Sequence, residues 1–234
     1  MKNIVVLDSS AVWQREFIRL CVHLTSFLEM DCLAIRHVGS TSVPGLAAKP
    51  ILDIDIVMKS PDDLDKLRKI LEHRGYYYRG DLGINGRFAF GYGSSSFMRH
   101  HLYGVEPQSE SYLDHLVLRE GLKYDPQAIV KYTLTKRAMA ERHPQDIDAY
   151  IDGKTMVIKE IMESEAGKKA RLFNRQIHHK EMLDDGRIRL KTVGAFPGEI
   201  LFTKAPFEIL EISGTDDLQA HLAGFAKEIA LGYR

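Results

Sequence analysis

Cysteine is scarce: Cys21 and Cys32 are the only two in 234 residues. They stand alone, without a second pair or a C-x-x-C spacing. This argues against a disulfide scaffold, a cysteine zinc site and a dithiol redox centre, and leaves two buried, reduced thiols as the expectation. Long apolar runs are missing too. Nothing approaches the ~20 residues that span a bilayer, and "MKNIVVLDSS" has no long apolar leader core, so no membrane association and a cytosolic (cytoplasmic) setting are expected. An excess of one charge is absent as well, with 32 Lys and Arg against 32 Asp and Glu. The chain as a whole gives no electrostatic reason to expect nucleic acid or an anionic membrane as a partner. There is no internal repeat, no low-complexity segment, no G-x-x-x-x-G-K-S/T run and no G-x-G-x-x-G in a βαβ setting, which disfavours both common nucleotide folds.

What is present is an ordinary globular composition, 44% apolar and 27% charged, in a chain long enough for one core and a smaller appendage. Apolar spacing predicts a helix over 10–29 with Trp13 on its buried side, and then a short strand over 33–38. "PILDIDIVM" predicts a second strand. Ser60-Pro61-Asp62-Asp63 starts a helix that Gly75 stops, over about 61–74. An aromatic hairpin follows, with arms at about 87–92 and 97–105. Helices at about 110–122, from Asp125-Pro126 onward, and at about 145–165 form a helical cap. A lysine-rich linker then leads to three short strands and a last helix begun at Thr215. The expected fold class is α+β: a mixed sheet flanked by helices over residues 1–167, and a small βββα unit over 168–234.

Chemistry concentrates in "RHVGSTSVPGLAAKPILDIDIV". Aspartate is depleted in strands, yet Asp53 and Asp55 alternate with Leu52, Ile54 and Ile56, giving a strand with an acidic face and an apolar back. The plain alternative is a solvated strand face. Two carboxylates side by side repel unless a cation sits between them, and rigid oxygen ligands suit Mg²⁺, which shares its shell with phosphates. Just upstream, Gly39 permits close backbone approach, and Ser40, Thr41 and Ser42 add hydroxyls and amides where a phosphate can sit. Lys49 can reach a phosphate, although a single loop lysine is more often solvated.

The strand, Gly-Ser turn and Asp-x-Asp resemble the nucleotidyltransferase superfamily. The longer string, with "RHHLYGV" and "LVLREGL…YTLTKRAMAERHPQDIDAYIDGKTMVIKEI", resembles the GrpB-like family over about residues 1–165; the remainder lies outside the resemblance. The resemblance implies a nucleotidyltransferase-like fold. It also implies that Gly39 and Ser40 hold triphosphate oxygens while Asp53 and Asp55 hold Mg²⁺ for transfer of a nucleoside monophosphate from a nucleoside triphosphate to a hydroxyl acceptor. A domain of this kind fused to dephospho-coenzyme A kinase in some bacteria suggests a coenzyme A connection. Active members of the superfamily commonly add a third carboxylate on a neighbouring strand. On "FMRHHLYGVE" only Glu106 is acidic, so His101 is the expected base, sharing a strand face with Arg99 as a phosphate clamp.

Two other functions compete with transfer: nucleotide binding without turnover, and an interaction or homodimer role for the tail. His100 and His101 face opposite ways and do not make a zinc site. Arg119, Glu120, Lys136 and Lys154 are assigned to ion pairing on helix surfaces, and His178 and His179 are given no role.

Overall fold

A computed structural model of the chain describes residues 3–28, 32–175, 177–193 and 197–230. Helix α1 (Ala11–Leu28) buries Trp13, Phe17, Leu20, Cys21, Leu24 and Leu28, a stripe at helical spacing, as the sequence predicts. The last predicted residue, Glu29, lies outside the described residues. Both cysteines are buried thiols. Strand β1 (Ala34–Val38) leads through a 3-10 turn at Ser40–Ser42 to β2 (Leu52–Val57). The predicted helix after Ser60 is a 3-10 turn (Pro61–Asp63) and α2 (Leu64–Glu72), opened by a capping box. There Ser60 Oγ accepts from the Asp62 amide at 3.1 Å, and the Asp63 carboxylate accepts from the Ser60 amide at 2.9 Å.

Strands β3 (Tyr76–Tyr78), β4 (Arg87–Tyr92) and β5 (His100–Val105) complete a five-stranded sheet of order β1-β2-β5-β4-β3. All its pairs are antiparallel except β2 with β5. The hairpin's second arm starts at His100 rather than at 97, and β3, which was not predicted, adds an edge to β4. Helix α3 (Glu110–Lys123) follows, and then α4 (Pro126–Arg142), whose cap Asp125 accepts from the Gln127 and Ala128 amides at 2.9 and 3.1 Å. The single helix predicted over 145–165 is two, α5 (Ile147–Asp152) and α6 (Thr155–Glu163), parted at Gly153-Lys154.

The tail differs most from expectation. The lysine-rich segment read as a linker is helix α7 (Glu165–Asn174), started by Ser164, which accepts from the Gly167 amide at 3.1 Å. The expected boundary after residue 167 falls inside it. Strand β6 (Ile177–Met182) joins β7 (Ile188–Val193), β8 (Glu199–Thr203) and β9 (Glu208–Ser213) in a four-stranded antiparallel sheet, where three strands were expected. Helix α8 (Asp216–Ala230) packs on it.

The two faces of the first sheet are covered differently. Leu52, Ile54, Ile56, Leu102 and Phe90 pack with α1 and α2 in one apolar cluster. On the other face, Ala34, Val38, Val57 and Val105 share a cluster with Tyr112 and Leu116 of α3, and with Phe173, Leu190, Phe202, Leu222 and Phe225 of the tail. Helix α7 lies along α3, held by Arg171 to Glu110 (2.8 Å) and Asp114. Among the described residues no helix is long and apolar enough to cross a membrane.

Candidate functional site

Sheet register sets the site. Val38 pairs with Asp53 and Arg36 with Asp55 across β1 and β2, while His101 pairs with Asp53 and Tyr103 with Asp55 across β2 and β5. Residues opposite one another share a face, so both aspartates lie on the face away from α1. The strand is more deeply buried than an acidic solvated face: the Asp53 side chain is 32% exposed and that of Asp55 0%. Alternation set the side, but the cover over Asp55 comes from α3.

Each carboxylate is held by an imidazole. Asp53 Oδ1 lies 2.9 Å from His101 Nδ1, and Asp55 Oδ2 lies 2.8 Å from Nδ1 of His115 on α3. A carboxylate only accepts, so each Nδ1 donates, and each Nε2 carries the lone pair when the ring is neutral. Burial acts on His115 to lower its pKa, but the charge of Asp55 and the hydrogen bond outweigh it and raise the pKa above the ordinary histidine value.

Gly39 has φ +65°, and a Cβ there would lie 2.3 Å from Asp53 Oδ2. The turn therefore passes directly against that carboxylate, and only glycine fits it without strain. The hydroxyls after it diverge. Ser40 Oγ accepts from Lys136 Nζ at 2.7 Å. Thr41 is buried, donating to the Ile51 carbonyl at 3.3 Å and meeting His37 Nε2 at 3.0 Å, while Ser42 donates to the Gly39 carbonyl at 2.7 Å. Of the three, Ser40 is the one drawn toward the basic groups.

Of those groups Lys49 was expected near a phosphate, while Lys136 and Lys154 were not. Lys136 is 2% exposed; its ammonium also donates to the Ala47 carbonyl at 2.9 Å and lies 3.9 Å from the Tyr132 ring centre. Lys49 and Lys154 both lie over the Tyr150 ring, at 5.3 and 4.3 Å. The ion pairs assumed for Lys136 and Lys154 do not form among the described residues. Burial first, and then Lys154, press the Lys136 pKa down to about 6; burial and Lys49 press Lys154 down to about 8. Lys49 is lowered by burial and Arg99, with Asp53 opposing. A sequence signal existed: Tyr132 and Lys136, four apart, share a helix face, so the lysine stands beside a buried aromatic.

Exposed Arg99 precedes β5, where it and His101 border a cleft of about 400 Å³ walled by Tyr77, Arg79, Gly91 and Tyr92. Glu106 is elsewhere. It follows Val105, which pairs with Val57, and lies five strand positions past His101, about 16 Å along the strand.

A Mg²⁺ ion would have to use the oxygens that the imidazoles leave free. One oxygen of each carboxylate is taken by an imidazole, and Asp55 Oδ1 is buried with no hydrogen-bond partner among the described residues. Among those residues no group of three or more His, Cys, Asp and Glu side chains is arranged to hold an ion. A two-carboxylate set that leaves other positions to water and phosphate fits Mg²⁺.

The chain is similar to known proteins. A family model described as GrpB protein matches residues 3–164. The UPF0157 protein YqkA of Bacillus subtilis is 34% identical over 57% of this chain and 39% of its own length. The UPF0157 protein PA4798 of Pseudomonas aeruginosa is 34% identical over 68% of this chain and 66% of its own. The chain thus spans less than two thirds of either. The crystal structure of the conserved protein GrpB from Enterococcus faecalis superposes with a TM-score of 0.62 at 31% identity, covering 72% of this chain and 98% of that one.

Proposed function

We propose that this chain, which belongs to the GrpB family, binds a Mg²⁺–nucleoside triphosphate on the Asp53–Asp55 face and transfers its nucleoside monophosphate to a hydroxyl acceptor. One observation carries the reading. Two carboxylates share a face of β2, each with one oxygen left over, and the Gly39–Ser40 turn lies against one of them. Asp53 and Asp55 would hold the metal, with His101 and His115 as the hydrogen-bonded support that ligating carboxylates need. Mg²⁺, when bound, supplies charge neutralisation and polarises the phosphoryl oxygens.

The chain's own groups do the rest. Gly39 and Ser40 present an amide and a hydroxyl to the phosphates, and Arg99 reaches them from the start of β5. Asp53 fixes the His101 tautomer, so Nε2 takes the acceptor's proton. As the acceptor oxygen bonds to the α-phosphorus, the bond from that phosphorus to the α–β bridging oxygen breaks and pyrophosphate leaves. The aromatic cleft beside His101 gives the acceptor or the base a place to lie.

Calorimetry with ATP, GTP, CTP and UTP, with and without Mg²⁺, tests the reading on wild type and D53N/D55N. Binding is expected to require the metal and to weaken at least about tenfold in the variant, or about 1.4 kcal/mol. Indifference to both metal and substitution overturns it. A second reading, Mg²⁺–nucleotide binding without turnover, has support in Asp55, whose carboxylate is fully buried and clamped by His115. Pyrophosphate release in the presence of cell metabolites separates the two.

A further inference from the structure

We propose that Lys49, Lys136 and Lys154 form a polyphosphate cradle against Ser40, a site for the triphosphate tail that binds phosphoanhydride chains even without a metal. The inference rests on the nucleotide reading above, which it deepens by assigning the tail of the substrate to three residues the fold brings together.

The three amino groups come from separate elements: the loop before β2, helix α4 and the junction ahead of α6. They converge on one small region. Lys49 and Lys154 share the Tyr150 ring, and Lys136 is tied to Ser40 of the turn that abuts Asp53. Their electrostatics are chained, because Lys154 opposes the charge of Lys136, Lys49 that of Lys154, and Arg99 that of Lys49. Asp53 is the one carboxylate that favours the charge of all three. Three amino groups thus answer to a single carboxylate.

A lone buried lysine is readily explained by structure, and two oxygen acceptors with an aromatic face would do it for Lys136. Convergent lysines are different, since each makes the others costlier to charge and none adds apolar packing that a methionine could not supply. A fold that keeps such a cluster is matched to an anionic ligand. A monophosphate carries too little charge to satisfy it, whereas ammonium groups are well suited to successive phosphates as point charges. Binding has a second signature. Lys136 faces Lys154, Asp53, Tyr132 and, beyond them, Tyr150 and Lys49; with its pKa near 6, it is mostly neutral at pH 7.5. A polyanion recharges it, so binding takes up protons.

The test is calorimetry on the full chain in EDTA at pH 7.5, using inorganic tripolyphosphate, ATP, AMP and orthophosphate in buffers of differing ionisation enthalpy. Tripolyphosphate and ATP are expected to bind at least about tenfold tighter than AMP and orthophosphate, with proton uptake. ATP binding without tripolyphosphate binding would assign the contact to the nucleoside and overturn the cradle. K136M and K154Q are each expected to weaken tripolyphosphate about tenfold, and D53N to tighten it by removing the competing carboxylate. Unchanged affinity in both lysine variants overturns the proposal. Thermal melts check folding, and if K136M fails to fold, K154Q at the helix start decides. The two readings fail separately. If lysine variants lose tripolyphosphate while Mg²⁺ has no effect on nucleotides, the metal reading fails and the cradle stands. If Mg²⁺–ATP binding depends on Asp53 and Asp55 but ignores the lysines, the cradle alone is wrong.

Discussion

The five-stranded sheet buries charged and polar groups beside its apolar core, whereas the four-stranded sheet buries an apolar core almost alone. Among the described residues, Arg36, His37, Thr41, Asp55, His100, Arg119 and Lys136 are buried in and around the first, while Thr192 of the second and Asn174 at the end of α7 are the buried polar residues of the tail, neither of them charged. The second sheet's interior is Leu190, Ile200 and Phe202 against Leu218, Leu222 and Ala226 of α8, all at most 0% exposed. An apolar interior needs no explanation beyond stability, because burying each such leucine, isoleucine or phenylalanine gains about 1.5–3 kcal/mol. A buried ion must be paired, and even then it is often no better than a hydrophobic replacement. The region that retains buried charges despite that cost is the one to which the proposal assigns the ligand. The match to the GrpB family model over residues 3–164 covers the first sheet and stops short of the second.

The largest expected effect tests the apolar side of this contrast. Leu190→Ala removes a fully buried side chain from β7 and is expected to cost about 3 kcal/mol in urea denaturation, by lost transfer energy and the cavity left behind. Nucleotide affinity of the folded variant should be unchanged. A folded Leu190→Ala protein that no longer binds nucleotide would break the comparison and make the tail part of the site.

The next effect falls on the polar side. His115→Gln takes the imidazole from a carboxylate that is 0% exposed, and is expected to cost about 2 kcal/mol at pH 6, below the loss for a fully broken buried pair because the amide can still donate. Its pH dependence follows from the raised His115 pKa. A histidine that is easier to protonate when folded stabilises fully below its unfolded value of about 6.5, and that contribution is lost as pH rises through the folded value. The gap between wild type and variant should therefore be widest near pH 6 and shrink toward pH 9. A gap that widens with pH would mean that Asp55 does not hold the imidazolium.

How much of this the sequence disclosed depends on the range of the interaction. The shared face of Asp53 and Asp55 and the cap at Asp125 were legible, because alternation and capping act over two to four residues. Whether the aspartate face would be covered was not, since the cover is α3 and His115 stands sixty positions after Asp55. Lys136 was read as a surface charge, although its spacing from Tyr132 puts the pair on one helix face; propensity is silent on which face a fold turns inward. Strand β6 escaped because "IHHKEM" lacks alternation. Its six residues are extended because β7 offers a complete antiparallel partner, from Ile177 opposite Val193 to Met182 opposite Ile188.

The smallest effect sharpens the contrast by using charge where it is exposed. Lys191 and Glu199 sit directly opposite on β7 and β8, 3.3 Å apart, with side chains 50% and 33% exposed. Glu199 also pairs with Arg189 at 2.9 Å, so Lys191→Gln is the substitution that removes this pair alone. Water and salt screen it, and both side chains lose freedom in making it, so Lys191→Gln is expected to cost about 0.5 kcal/mol and less at high salt. His115→Gln, measured in the same buffers, should change little with salt because its partner is sealed from solvent. If the two substitutions cost the same at pH 6 and respond equally to salt, burial is not what sets the value of charge in this protein. The inference from the converging lysines to a polyanionic ligand then loses its physical basis, even with the lysines where the fold has put them.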